Sequence, residues 1–236
     1  MARGYHKGED MRAMILAAGE GRRMRPLTEH TPKPLLEVAS KSLIEWHIER
    51  VVRAGIKDIV INIAHLGEQI PKALGDGSKW GVRLHYSDER AEGGLETAGG
   101  IIKALDLLGD EPFWVINGDV WCDYEIDSSK TLIDGALAHL VLVPNPPHNP
   151  KGAFDIEDGF VVDKPAYTFA GIGLYSPKMF EGMRVSKKPL APILRECMKD
   201  KKVTGEIFYG RWYDIGTPQR LKEINTLMSI NSCEFY

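Results

Sequence analysis

The chain predicts a single α/β domain: a mixed, mostly parallel sheet with helices on both faces and a small antiparallel lobe. Two observations carry that expectation. Short apolar runs alternate with amphipathic segments through the first half, the rhythm of βαβ units that build parallel sheets. The second half breaks into shorter extended pieces around turn signals such as Asp158-Gly159, which reads as a hairpin.

Taken in order, the apolar run at 13–17 is a buried strand that feeds a glycine-rich turn. Ser42 is placed to cap a helix over 42–54, with Leu43, Trp46, His47, Val51 and Ala54 near one face and Gly55 as its stop. Asp58–Ile63 is a second buried strand, 66–74 a short helix and 82–87 an alternating strand. A helix over 97–108 turns Ile101, Ala104, Leu105 and Leu108 inward, and Phe113–Asn117 is the next short strand. Further strands are expected at 139–143, 154–156, 160–163 and 169–175, with an amphipathic helix at Leu190–Lys199. Thr217 caps a last helix with Pro218 at its first position. No linker or internal repeat divides the chain, so residues 11–236 read as one domain and residues 1–10 as a leader.

Composition excludes several classes. With 43% hydrophobic and 27% charged residues and a net charge of −3, no global basic field exists to hold nucleic acid. No apolar stretch is long enough to span a bilayer, so no membrane partner is expected. The cysteines Cys122, Cys197 and Cys233 are far apart, which supports neither a zinc ribbon nor a disulfide framework and fits a reducing, cytoplasmic setting.

The local exception to the acidic balance is the turn after the first strand. Gly19-Glu20-Gly21-Arg22-Arg23-Met24-Arg25 is followed by Pro26-Leu27-Thr28 and by Thr31-Pro32-Lys33-Pro34. Glycines let backbone N–H groups approach an anion, and Arg23 and Lys33 add positive charge, so a triphosphate is the expected guest. The chain has no GxxxxGK[ST] string, which excludes a Walker loop. Met24 stands where a dinucleotide fingerprint needs its third glycine, so the arrangement is Rossmann-like without being that motif. In open α/β sheets ligands sit beyond the carboxyl ends of strands, which is where the Gly19 loop and Gly118-Asp119 lie.

With Arg23 and Lys33 ten residues apart and a Pro-x-Thr between them, the chain resembles the sugar-1-phosphate nucleotidyltransferases. The likeness extends from Met11 onward through Glu96-Thr97-Ala98-Gly99-Gly100, Asn117-Gly118-Asp119, Asp163-Lys164-Pro165 and Trp212-Tyr213-Asp214-Ile215-Gly216-Thr217. Within that family it is most similar to the short N-acetylmuramate-1-phosphate uridylyltransferases of cell-wall recycling. They share the Leu95-Glu96-Thr97 stretch, the Asn117-Gly118-Asp119-Val120-Trp121 block and Phe169-Ala170-Gly171-Ile172. The chain departs from them at Ala153, where a Gly-Asp-Phe pattern is usual.

That resemblance implies attack of a sugar 1-phosphate on the α-phosphorus of a nucleoside triphosphate, UTP foremost, with pyrophosphate leaving. The attacking phosphate is already ionised, so catalysis rests on positioning and charge neutralisation. It implies Mg²⁺ held by Asp119 and Asp214, with Arg23, Lys33 and Asp119 as the catalytic set. The expected nucleotide contacts are Ala18, Gly19, Glu20, Gly21, Arg22, Arg23 and Lys33, the base contacts Gly94 and Leu95, and Asn62 and Asn117 either for base and ribose or for loop backbone. Gly152, Asp163, Lys164 and Gly171 are the sugar candidates; for Lys164 an exposed loop lysine stays equally open. Arg25 stays open between phosphate and loop structure. No hexapeptide-repeat tail follows the Trp212 block, so a monomer or dimer without acetyltransferase activity is expected. The alternatives are a mannose-1-phosphate guanylyltransferase, a choline-phosphate cytidylyltransferase of the same fold, and a nucleotide sensor without turnover. Retention of both carboxylates argues against the sensor.

Overall fold

Arg12–Leu16 forms β1, the strand on which the whole domain is organised. A computed structural model of the chain describes residues 11–233, and the leader assigned to residues 1–10 lies outside them. After β1 come β2 (Glu37–Val38), β3 (Lys41–Ser42), α1 (Leu43–Arg53), β4 (Asp58–Ile63), α2 (Gln69–Leu74), β5 (Arg83–Asp88), α3 (Glu96–Leu108) and β6 (Phe113–Asn117). The second half adds β7 (Val120–Cys122), β8 (Ala138–Val143), β9 (Phe154–Glu157), β10 (Phe160–Tyr175), α4 (Leu190–Lys199), β11 (Val203–Ile207), β12 (Trp212–Asp214) and α5 (Pro218–Cys233).

The main sheet runs β11-β8-β10-β6-β1-β4-β5, with β9 paired to β10. β1 is parallel to β4 and β6, and β4 to β5, whereas β10 is antiparallel to β6 and β8. The parallel half carries helices on both faces because alternate strand residues point to opposite sides. Ala13 and Ile15 pack with Ile44, Ile48 and Val51 of α1 and Ile70 of α2. Met14 packs oppositely with Ala98, Ile101 and Ala104 of α3 and Leu194 of α4. Every one of these side chains is at most 1% exposed, so a strand slipped by one residue would exchange the two cores.

Local signals explain most boundaries. Ser42 heads α1 in a capping box, where the Glu45 carboxylate accepts the Ser42 N–H at 3.3 Å; such a box stabilises a helix start by about 1 kcal/mol. The short helix expected over 66–74 starts only at Gln69, because Leu66 turns left-handed at φ 50° and delays the helical backbone. The strands expected at 160–163 and 169–175 are one continuous strand, β10. Pro165, which lacks an N–H, falls where the pairing with β9 shifts register between Val162 and Tyr167, so no ladder bond is lost there. Among the described residues no helix is long and apolar enough to cross a membrane.

Candidate active site

The carboxyl ends of β1, β4 and β6 open into a cavity of about 420 Å³. Its floor is the turn after β1. Gly21 takes φ 62°, and a Cβ there would lie 2.9 Å from the Thr28 methyl, so only glycine fits without displacing Thr28. The Thr28 hydroxyl donates to the Gly21 carbonyl at 2.8 Å, and the Met24 N–H closes the turn on the same carbonyl at 2.8 Å. Met24, fully buried, is therefore the apolar anchor of the loop. Ala18, Gly19, Glu20, Gly21, Arg22, Arg23, Lys33, Asn62, Gly94, Leu95, Asn117 and Asp119 all border this cavity. Arg22 is 74% exposed on its side chain and pairs with Glu20, which draws it to the rim. Arg23 carries no ion-pair partner among the described residues and borders a second cavity as well.

Gly118 brings β6 against β1. Its N–H donates to the Leu16 carbonyl at 2.9 Å, and a Cβ there would sit 2.3 Å from that oxygen. Asp119 follows, with its carboxylate 2.9 Å from the Lys33 ammonium. Asp214 arrives from 95 residues later through a two-stranded ribbon in which Trp212, Tyr213 and Asp214 face Cys122, Trp121 and Val120. The Ile215 N–H donates to the Asp119 carbonyl at 2.8 Å, so the two aspartates occupy neighbouring positions on one ribbon and border the same second cavity. The Asp214 carboxylate accepts from Arg220 at 2.8 Å and contacts His148 at 3.1 Å.

Among the described residues, no three His, Cys, Asp or Glu side chains gather into a metal cage. Mg²⁺ does not need one: it takes one or two carboxylates and fills its shell with water and substrate phosphate. Asp119 and Asp214 both present hard carboxylate oxygens to the border of the second cavity, the donor type that ion takes.

α1 braces the ribbon from below. The buried Arg50 guanidinium donates to the Cys122 carbonyl and meets His47 Nδ1 at 3.3 Å. Burial, followed by the Arg50 charge, holds the His47 pKa down to about 3 from 6.5. The unfolded chain therefore takes up a proton that the folded chain refuses, and stability falls as pH drops from about 6.5 toward about 3. Between pH 7 and pH 5 this group alone costs about 2 kcal/mol. In His47→Gln, urea denaturation at the two pH values should show that much less difference than in the parent; an equal difference would mean that His47 does not titrate between the two states.

The second cavity, of about 310 Å³, shares Arg23, Asn117 and Asp119 with the first. Gly171 lines it at φ 74°, where a Cβ would lie 2.7 Å from the Asn117 side chain. Three of the four sugar candidates border neither cavity. Gly152 lies instead against the Tyr167 carbonyl, 2.7 Å from where its Cβ would be. Asp163 accepts from Arg195 of α4 at 3.1 Å, and Lys164 reaches Glu157 at 3.3 Å and Asp155 at 3.6 Å on β9. The physical reason is the hairpin: residues 163 and 164 sit in its outer arm, where surface charges on β9 and α4 are nearer than the cleft.

Other residues line the second cavity beside Gly171. His148 and Asn149 come from a proline-rich loop after β8, residues 145–150, which is tied to β10 by Asn149 donating to the Thr168 hydroxyl at 3.1 Å and Asn145 donating to the Ala166 carbonyl at 2.8 Å. Thr168, Phe169 and Trp212 complete the lining, with the Trp212 indole N–H on the Ala170 carbonyl at 2.9 Å. Lys187 joins the first cavity from the loop before α4. The only signal for the His148 loop was its asparagines among prolines, which mark an ordered turn without saying what it faces.

Residues 12–229 match the family described as nucleotidyl transferase, and the chain belongs to that family, as a sugar-1-phosphate nucleotidyltransferase that moves a nucleotidyl group from a nucleoside triphosphate to a sugar 1-phosphate. It is 52% identical to the N-acetylmuramate alpha-1-phosphate uridylyltransferase of Neisseria meningitidis serogroup B, over 92% of this chain and 98% of that one. It is 32% identical to the enzyme of that name from Caulobacter vibrioides, over 88% and 92% of the two chains. The mannose-1-phosphate guanylyltransferase catalytic subunit beta of Drosophila pseudoobscura pseudoobscura is 33% identical over 90% of this chain but only 61% of its own. Among solved structures, a Bacillus anthracis chain assigned as a glucose-1-phosphate thymidylyltransferase and crystallised with sucrose superposes with a TM-score of 0.79 at 25% identity, over 92% of this chain and 94% of that one.

Proposed function

We propose that the chain transfers the uridylyl group of UTP to N-acetylmuramate 1-phosphate, releasing pyrophosphate, in the cytoplasm. The observation that carries this reading is the 52% identity to the Neisseria enzyme along nearly the whole of both chains. The cleft supports it physically, because two compartments joined at Arg23, Asn117 and Asp119 give each substrate its own space and a shared reaction centre.

The triphosphate lies along the turn from Ala18 to Arg23, whose backbone N–H groups and arginine receive its charge. The base rests against Gly94 and Leu95, which border the same cavity as the phosphate loop; Gly94 itself abuts that loop, where a Cβ would be in van der Waals contact with the Ala18 carbonyl at 3.8 Å. Lys33 neutralises charge at the α-phosphate, and Arg23 charge on the departing pyrophosphate. The sugar phosphate enters from the second compartment, between Gly171, Asn117 and the His148-Asn149 loop. Asp119 and Asp214 hold Mg²⁺, which when bound screens the negative charge gathered between the two substrates. Lys33 and Arg220, their present partners, serve as counter-ions to the two carboxylates.

Pyrophosphate release across UTP, GTP, CTP and dTTP, each paired with N-acetylmuramate, N-acetylglucosamine, glucose and mannose 1-phosphates, tests the reading. UTP with N-acetylmuramate 1-phosphate should give the highest kcat/KM, lost on chelation and restored by Mg²⁺. A higher value for GTP with mannose 1-phosphate would overturn it, and silence from every pair in a protein that still binds nucleotide would identify a sensor.

A further inference from the structure

We propose that Glu89 is a positioning residue that, through Asn62, holds the phosphate loop and the base loop at the separation a bound nucleotide requires. This rests on the reading above that a nucleotide occupies the larger cavity. Glu89 follows β5 directly and is fully buried, yet among the described residues no cation makes a direct ion pair with it; Lys103, which acts on it from farther off, pairs with Glu92. A buried carboxylate without a counter-ion is costly unless N–H donors converge on it. Here they come from the two walls of the cavity. The Leu95 N–H, in the base loop at the start of α3, donates to Oε2 at 2.8 Å. The Asn62 amide, at the end of β4, donates to Oε1 at 2.8 Å. Asn62 is itself only 3% exposed, and its Oδ1 accepts the N–H of Ala17, the residue entering the phosphate loop, at 2.8 Å.

The result is a continuous buried relay from Ala17 through Asn62 and Glu89 to Leu95. The Glu89 backbone reinforces it, donating to the Ile63 carbonyl at 2.8 Å and accepting the Gly94 N–H at 3.2 Å. Room for it is made by Gly100 of α3, where a Cβ would lie 2.6 Å from Glu89 Oε1 and 2.9 Å from Asn62 Nδ2. The direction of each bond is fixed by chemistry: Ala17 and Leu95 offer only donors, so the two side chains between them must supply one donor and three acceptors. Asn62 with Glu89 meets that count. So does the exchanged pair, Asn62→Asp combined with Glu89→Gln, in which the introduced amide donates to the introduced carboxylate. Glu89→Gln alone does not, and Asn62→Asp alone does so only by taking up a proton shared between the two facing carboxyls, so that variant is measured above and below the carboxylate range. This also separates the relay from direct contact between Glu89 and the base, since only a relay tolerates the exchange.

The test is the cycle Glu89→Gln, Asn62→Asp and the double variant, measured by calorimetric titration of UTP, by KM for each substrate, and by amide hydrogen exchange at residues 17 and 95 without nucleotide. Each single variant, Asn62→Asp above the carboxylate range, should weaken UTP binding about tenfold or more, as a buried unsatisfied polar group does, while KM for the sugar phosphate stays the same. Exchange at both amides should accelerate in each single variant under the same conditions. The double variant should bring binding and exchange back to within about threefold of the parent. A double variant as impaired as Glu89→Gln, or single variants with unchanged exchange, would overturn the relay. Failure of the parent to bind any triphosphate would sink the functional reading instead, and the exchange rates would still decide whether the relay exists.

Discussion

Asp119→Asn should lower kcat by about 10³-fold while the fold stays intact. The substitution keeps shape and hydrogen bonding: the amide oxygen still accepts from Lys33, whose ammonium is 2.9 Å away, and the backbone carbonyl still receives Ile215 N–H at 2.8 Å. What is lost is the negative charge of one of the two carboxylates that border the second cavity, and with it half of the anionic charge proposed to hold Mg²⁺. Binding of the triphosphate through the Gly19–Arg23 backbone should be retained within a few-fold, so the loss belongs to kcat rather than to KM. Steady-state kinetics over a Mg²⁺ series, Mn²⁺ titration by calorimetry and a thermal melt measure the three parts separately. Near-normal Mg²⁺-dependent turnover would refute the role given to Asp119, and an early melt would show that the residue serves the fold.

The parts of this molecule that could be read in advance are those with local causes. Asp58–Ile63, Phe113–Asn117 and Leu190–Lys199 have the bounds their residue patterns predict, since an apolar run between turn residues, or an apolar face repeating every three or four residues, declares itself within a short window. The glycine-rich turn after β1 was equally legible as a turn, and the structure closes it through the Thr28 hydroxyl on the Gly21 carbonyl. The ribbon that joins Asp119 to Asp214 was not. Its strands are three residues each, too short to show alternation, and its register comes from contacts such as Trp121 against Trp46 and Tyr213. Asn62 illustrates a middle case. Its place at a strand end on the cavity wall was visible, but its amide is engaged by Ala17 and Glu89, partners distant in sequence. Asp163 and Lys164 were sugar candidates by family pattern, with an exposed loop lysine equally open for Lys164; their surface partners Arg195 and Glu157 are distant in sequence or set by the hairpin, and no pattern shows them.

Lys33→Met should lower kcat by about 10²- to 10³-fold, and its combination with Asp119→Asn should reveal why. Pro32 and Pro34 flank Lys33 in a short 3₁₀ turn, and the residue is only 9% exposed, so its ammonium has little freedom beyond the Asp119 carboxylate and the cavity. Methionine keeps the length and removes the charge. Without the ammonium, Asp119 loses its partner, and on the proposed reading the α-phosphate loses a cation, so both halves of the proposed reaction centre fail together. Arginine should not restore activity, because a planar guanidinium fork does not fit where a compact point charge sits in a nearly closed slot. The two residues act as one charge-balanced unit, so the double variant should be little worse than the more damaged single variant. Rate losses that multiply would show instead that Lys33 meets the substrate independently of Asp119. The ion pair would then be a feature of the ligand-free protein, with no bearing on how the reaction centre is assembled.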